Sequence, residues 1–251
     1  MKTNTDYKNA ALAALKGNWA KAVLATVVFA VIAYLAMGPY MYYSSMLRTY
    51  MTENVGPMTP GNISQRAAAM MSLSQDPEFL ALSQKANGYS ALCLLLSIFL
   101  VWPVSVGILN AFRRLLTGGE NDILGNTFKS ATKDYWHKVW GMFLMFVFVF
   151  LWSLLLIIPG IVKIFSYAMT PFILDENPEL SANDAIDRSR AMMKGHKFDL
   201  FWLLLSFIGW FILTLLTLGI GGLWLQPYMQ TSVSAFYEDV KAEYEATGGL
   251  A

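Results

Sequence analysis

Residues 200–237 read LFWLLLSFIGWFILTLLTLGIGGLWLQPYMQTSVSAFY, 38 positions without an Asp, Glu, Lys or Arg. One helix of that length would measure about 57 Å, nearly twice the ~30 Å hydrocarbon layer of a bilayer. Gly219-Ile220-Gly221-Gly222 near its centre supplies residues that tolerate turn dihedrals. The stretch therefore predicts two membrane helices joined by a turn. Three more uncharged stretches support a membrane chain: 26 residues between Lys21 and Arg48, 27 from Ala86 to Phe112, and 24 from Val139 to Val162. Each exceeds the roughly 20 apolar residues that a span requires.

Composition agrees. Hydrophobic residues make up 56% of the 251 positions and charged residues 14%, against about a quarter charged in soluble domains. A net charge of +1 without a Lys/Arg run gives no nucleic-acid signature. The lone Cys93 lies in an apolar stretch and is read as a packing residue. The first apolar stretch is too long for a signal peptide, has no clear small-x-small cleavage site, and is read as a span.

Pro159-Gly160 divides the block 139–174 as the glycines divide 200–237. Six spans are expected, at about 22–43, 89–112, 138–158, 161–175, 199–218 and 221–238. Basic residues orient them. Fourteen Lys and Arg fall in the segments assigned to one side, while only Arg48, Arg66 and Lys85 fall in the loop opposite. By the positive-inside rule both termini are cytoplasmic. The segment 44–87 is expected as an extracytoplasmic loop. Tyr40, Tyr42 and Tyr43 form an interfacial belt at its start, Gly56-Pro57 and Pro60-Gly61 mark turns, and a short helix falls within 64–83. Asn62-Ile63-Ser64 has the form of a glycosylation acceptor, relevant only in a eukaryotic secretory pathway.

The chain also repeats itself at an offset of 61 residues. Lys133 aligns with Lys194, Phe146 with Phe207, Gly160 with Gly221, Tyr167 with Tyr228, and Thr170 with Thr231. A weaker copy begins at Lys16-Gly17-Asn18-Trp19, its hairpin turn replaced by the long loop. The chain is thus read as a single integral membrane domain, 1–251, with repeat units at about 5–116 (insertion 44–87), 127–175 and 181–240. Each unit combines a cytoplasmic amphipathic helix with a hairpin of spans. The amphipathic helices, such as Asp6–Lys16 and the one opened by Ser181 and Asp184, are expected to lie in the interface. The fold class is all-α, a polytopic membrane helical bundle.

Ala13-Ala14-Leu15-Lys16-Gly17-Asn18-Trp19, Ile158-Pro159-Gly160-Ile161, Ser189-Arg190-Ala191-Met192-Met193-Lys194-Gly195 and Gly221-Gly222-Leu223-Trp224-Leu225-Gln226-Pro227-Tyr228 resemble motifs of a bacterial multi-pass family, domain-of-unknown-function family 975. That family is related to the membrane domain attached to some glycerophosphodiester phosphodiesterases. The resemblance implies a bacterial inner-membrane protein and supplies no activity, catalytic residue or cofactor.

The residues themselves offer little chemistry. No H-E-x-x-H, G-x-S-x-G or Walker loop is present. His137 and His196 are read as interfacial anchors. Glu176, Glu179, Asp184 and Asp187 are read as carboxylates favouring a helix start. Asn110, Ser166, Thr170, Gln226 and Thr231 are read as interhelical hydrogen-bonding groups, and Pro171 and Pro227 as kinks. Lys163 is the one charge among the apolar spans. It either snorkels to the outer interface or turns inward toward Tyr167 to meet an anionic ligand, so Lys163 and Tyr167 are the candidate ligand-binding pair. The expected partners are the lipid bilayer and other membrane proteins. Three classes of function are open: a non-enzymatic envelope scaffold or regulator, a transporter of a small molecule or lipid, and an enzyme acting on lipid.

Overall fold

The computed structural model describes residues 2–55, 63–118 and 121–248, and every regular element among them is helical. Chain contacts group these residues into two compact units, Met1–Ala30 with Trp102–Ala251, and Val31–Val101.

The first unit begins with α1, Asn4–Leu15, whose N-terminus is closed by a reciprocal Thr3–Asp6 capping box. Tyr7, Ala11 and Leu15 repeat at the helical spacing of four and are buried. They pack against the last helix, α13 (Gly222–Ala246), and Tyr7 meets Phe236 edge-to-face at 5.6 Å. The Tyr7 hydroxyl donates to Asp239 Oδ2 at 2.7 Å and the Lys2 backbone N–H to the same oxygen at 2.9 Å. The two ends of the described chain are thereby fastened together.

Between them run α5 (Trp102–Gly118), α6 (Ile123–Thr132) and α7 (Tyr135–Leu155), then α8 (Ile157–Ser166) and α9 (Thr170–Glu176). There follow α10 (Ala182–Met192), α11 (Lys197–Leu205) and α12 (Ile208–Leu216). The break in the first hairpin falls at the extended Leu156, three residues before the expected Pro159. Pro159 sits instead in the first turn of α8, where its missing N–H costs no intrahelical bond. Gly160 serves close approach: a Cβ there would collide with Ser153 across the hairpin. The second turn follows the glycine expectation, since Gly219 has φ +92° and its N–H donates to the Thr214 carbonyl at 2.8 Å.

Both hairpin ends are apolar and exposed. Leu154 through Ile158 are each at least two-thirds exposed, and Leu218 is 93% exposed. The buried core lies toward the other end of the helices, where α1, α5, α9, α10, α11 and α13 contribute Leu15, Phe112, Phe172, Met192, Leu203 and Phe236.

The second unit, which α2 enters at Val31, carries helices where a loop was expected. One continuous helix, α2, runs Trp19–Val55 through the tyrosine belt and contains Pro39. No Pro or Gly interrupts 40–55, so nothing in the local sequence stops the helix at the interface. Two further helices, α3 (Ile63–Leu73) and α4 (Pro77–Leu96), replace the single one expected within 64–83. Asp76 caps α4 by accepting from the Glu78 N–H at 2.8 Å, and it also accepts from the Tyr50 hydroxyl at 3.0 Å. Tyr43 stacks on Tyr89 at 4.8 Å. Gly56-Pro57, Pro60-Gly61 and Asn62 lie outside the described residues.

Among the described residues, five helical stretches are long and apolar enough to cross a membrane: Trp19–Val55, Pro77–Gly118, Tyr135–Leu155, Ile157–Glu176 and Lys197–Leu216. The sixth expected span, 221–238, falls in α13, which is not among them. Gln226, Gln230, Thr231, Ser232 and Ser234, followed by Glu238 and Asp239, dilute its hydropathy.

Candidate functional site

Several apolar helices are interrupted within their length, and each interruption exposes backbone groups that the hydrocarbon layer cannot satisfy. Pro171 cannot donate, and the helix opens between Ser166 and Thr170. Ser189 of α10 fills this gap: its hydroxyl donates to the Ser166 carbonyl at 3.0 Å and accepts from the Met169 N–H at 3.2 Å. Asn110 of α5 donates to the Pro171 carbonyl at 3.1 Å. At the α11–α12 break, Lys8 of α1 donates to the Ser206 carbonyl at 2.9 Å, its ammonium 4.3 Å from the Phe207 ring centroid.

Among the polar groups expected to bond between helices, Asn110 does so. Ser166 and Thr231 instead donate to their own helices, at Val162 and Pro227, and Gln230 donates to Gln226 within α13. The Thr170 hydroxyl is buried without a partner. A hydroxyl placed four residues after a helical carbonyl bonds it locally, and that option outcompetes a neighbouring helix. Pro171 stands in the first turn of α9, just after the opening, and Pro227 lies within α13.

A dense group of charges lies on basic residues that the sequence offered only for orientation and on two acids, one of which, Asp175, it did not single out. Asp175, at the end of α9, receives Lys138 of α7 at 2.6 Å, Arg114 of α5 at 2.9 Å, and the hydroxyl of Ser130 on α6. Lys138 and Asp175 side chains are each 1% exposed. The Lys138 ammonium also donates to the Ser130 and Lys133 carbonyls, which uses its three donors. The adjacent Glu176 pairs with Arg113 at 2.5 Å and with Lys241 at 2.9 Å, and it accepts from the Tyr237 hydroxyl. Arg113 reaches Glu238 at 3.0 Å as well. Two neighbouring carboxylates thus tie together α5, α6, α7, α9 and α13. Glu176 is not a helix-start carboxylate, as the sequence had suggested. It ends α9, and opposed cations fix its place. Ser181 and Asp184 do form the expected capping pair: the Ser181 hydroxyl accepts from the Asp184 N–H at 3.2 Å and donates to the Asp184 carboxylate at 2.6 Å. His196 stands between Asp199 and Glu243, at 3.4 and 3.3 Å.

The structure brings the candidate pair Lys163 and Tyr167 together. The Lys163 ammonium lies 4.4 Å from the Trp152 ring centroid and 5.7 Å from that of Tyr167. The charged groups whose fields reach it are Arg190, Lys197 and Asp187, on α10 and at the start of α11. Tyr167 is buried and lines an apolar crevice of about 310 Å³ between α5, α7 and the α8–α9 segment. Met142, Met145, Val149, Ile164 and Ala168 form much of its wall.

Long apolar helices with exposed apolar flanks, joined at one end by buried ion pairs, are the construction of a multi-pass helical membrane protein. The chain belongs to the family described as protein of unknown function (DUF975), which matches residues 1–244. No curated protein and no solved structure matches it.

Proposed function

We propose that this chain is a non-enzymatic component of a bacterial inner membrane, holding or regulating other membrane proteins. The observation that carries this reading is the closure of its polar groups upon themselves. Asp175 and Glu176 are fully engaged by cations and hydroxyls of the same chain, and Ser189, Lys8 and Asn110 occupy the opened backbone of its apolar helices. In transporters built from broken helices, such carbonyls and carboxylates receive the substrate or the coupling ion. Here they are spent on joining helices.

Three hairpin units fit this reading, with six spans and both termini in the cytoplasm. Positions 61 apart in the chain touch repeatedly, as Asn110 with Pro171, Arg114 with Asp175, and Glu176 with Tyr237. Equivalent positions of successive units would meet in this way if the returning helices shared a central axis. The fourteen-to-three basic asymmetry and the fastening of α1 to α13 favour termini on one side. Kinship with the phosphodiesterase-linked membrane domain would agree with a helper role beside a separate catalytic unit.

Blue-native electrophoresis of membranes with and without the chain tests the proposal. A scaffold should migrate in a complex larger than one chain, and its deletion should shrink or remove that complex. Migration as a lone chain with all other complexes unchanged would defeat the reading. The apolar crevice beside Tyr167 favours a second reading, movement of lipid. Vesicles containing the purified chain would then exchange labelled lipid between leaflets faster than empty vesicles.

A further inference from the structure

Lys163 holds the one ammonium set among the apolar stretches of α7 and α8, and no acidic partner stands within salt-bridge distance of it among the described residues. Its surroundings are nonetheless defined. The amine rests against the ring of Trp152, and the side chain lies beside Tyr167, one helical turn onward. Further charge acts on the same place. The Ser189–Ser166 hydrogen bond holds the end of α8 against α10, the Phe165–Phe201 ring contact at 6.0 Å sets α11 alongside, and the fields of Arg190, Lys197 and Asp187 on these two elements reach the Lys163 ammonium. Arg190 is engaged by Asp187 at 3.1 Å and is half exposed. Three cations and one acid therefore act together on this part of α8.

The crevice adjoins this cluster directly, because Ile164 and Tyr167 both line it. Its walls are almost wholly apolar, built of methionine, valine, isoleucine, alanine, proline and aromatic carbon. Its volume is near the ~300 Å³ lower end of ordinary ligand sites. A narrow apolar slot with excess positive charge at its edge has the chemistry of an amphiphile with an anionic head. Ammonium groups favour phosphate oxygens, and basic pockets between membrane helices recognise anionic headgroups in this way. A cation held on an aromatic face without an acidic partner is favoured further by an added anion.

We propose that Lys163, Arg190 and Lys197 form the headgroup site for one anionic phospholipid, with an acyl chain lying in the crevice lined by Met142, Met145, Val149, Ile164, Tyr167 and Ala168. The site is separate from the Asp175–Glu176 cluster and does not depend on the scaffold reading. Bound lipid would fill the opening beside Pro171 and neutralise the excess charge, so the lipid acts as a structural ligand that ties α7, α8, α10 and α11 together.

Native mass spectrometry of the full chain tests this, using an equimolar mixture of phosphatidylglycerol and phosphatidylcholine with identical acyl chains. The native chain should retain one phosphatidylglycerol with a preference of about tenfold, equivalent to ~1.4 kcal/mol. Lys163→Met should reduce that preference to about twofold or less, and Lys163→Arg should keep it. Ala168→Phe should lower retention of both lipids while leaving their ratio unchanged. Should Lys163→Met fail to fold, Lys197→Gln at the partly exposed edge should lower the preference in the same direction. Equal retention of the two lipids by the native chain overturns the proposal. So does a preference unchanged in both lysine variants, or retention unaffected by filling the crevice. Because the readout is lipid mass on a single chain, it is distinguishable from loss of the larger complex.

Discussion

Arg114 and Asp175 lie 61 residues apart in the chain and 2.9 Å apart in the fold. The Lys138 ammonium, 2.6 Å from the other Asp175 oxygen, shares this carboxylate, and both members of that pair are almost fully buried. A buried ion pair gains little over apolar packing, but breaking one partner away leaves a naked charge. Asp175→Asn should therefore cost about 3–5 kcal/mol of stability, because Lys138 loses its counter-charge. Lys138→Met should cost a similar amount, whereas the double variant Asp175→Leu/Lys138→Met should recover much of the loss. Thermal unfolding in detergent measures all three. Additive losses in the double variant would contradict the coupling.

The sequence showed the apolar helices plainly, because an uncharged run of twenty or more residues has few other uses. It also showed the second hairpin turn, since Gly219 adopts a dihedral that suits glycine. The ion cluster was hidden for a physical reason. Arg113, Arg114 and Lys138 at span ends look like ordinary interfacial cations, and nothing local tells a snorkelling lysine from a buried one. Asp175 falls 61 residues after Arg114, and Tyr237 falls 61 after Glu176, the same offset at which the sequence was read as repeating. Ser189 and Lys8 were invisible for a related reason: each completes a helix far from it in sequence.

Topology gives a second expectation. If both termini share one face and α2 and α4 carry the chain across, reporter domains fused after Met51 and after Ala251 should report opposite sides. The tyrosine belt and the extension of α2 to Val55 place Met51 well beyond the apolar stretch. Two fusions reporting the same side would refute the orientation and the even number of spans.

The fastening of α1 to α13 should depend on pH. Burial works to raise the Asp239 carboxyl, but the hydrogen bonds from the Tyr7 hydroxyl and the Lys2 N–H more than offset it and hold the group below its ordinary range. A depressed carboxyl pKa stabilises the fold above the unfolded value of about 3.9, and that contribution is lost as pH falls through the lower folded value. Protection of the α1 amides, corrected for the intrinsic exchange rate at each pH, should therefore be high at neutral pH and fall below about pH 4. Tyr7→Phe should quicken α1 exchange at neutral pH and flatten its pH dependence. A native profile independent of pH between the neutral range and about pH 3 would rule out this carboxylate as the fastening.

Lys8 offers the sharpest separation of a polar contact from a packing contact. Its ammonium does two things at the α11–α12 break: it donates to the Ser206 carbonyl at 2.9 Å, and it lies over the Phe207 ring at 4.3 Å. Ser206 cannot pass its carbonyl to the next turn, because the helix restarts at Ile208. Lys8→Met keeps most of the side-chain volume but leaves that carbonyl without its donor, at a cost of about 1–3 kcal/mol. Phe207→Leu keeps the donor and removes the ring, at about 0.5–1 kcal/mol for the cation contact plus the loss of packing. Lys8→Gln retains an N–H donor without charge, so it should recover part of the Met loss if the carbonyl bond dominates. Hydrogen exchange of α11 and α12 gives a local readout. Loss of the carbonyl bond should speed exchange next to Ser206 in the Met variant, and Phe207→Leu should alter it less. If Lys8→Gln behaves like Lys8→Met while Phe207→Leu equals both, the ring contact is what holds α1 at the break and the carbonyl bond is incidental.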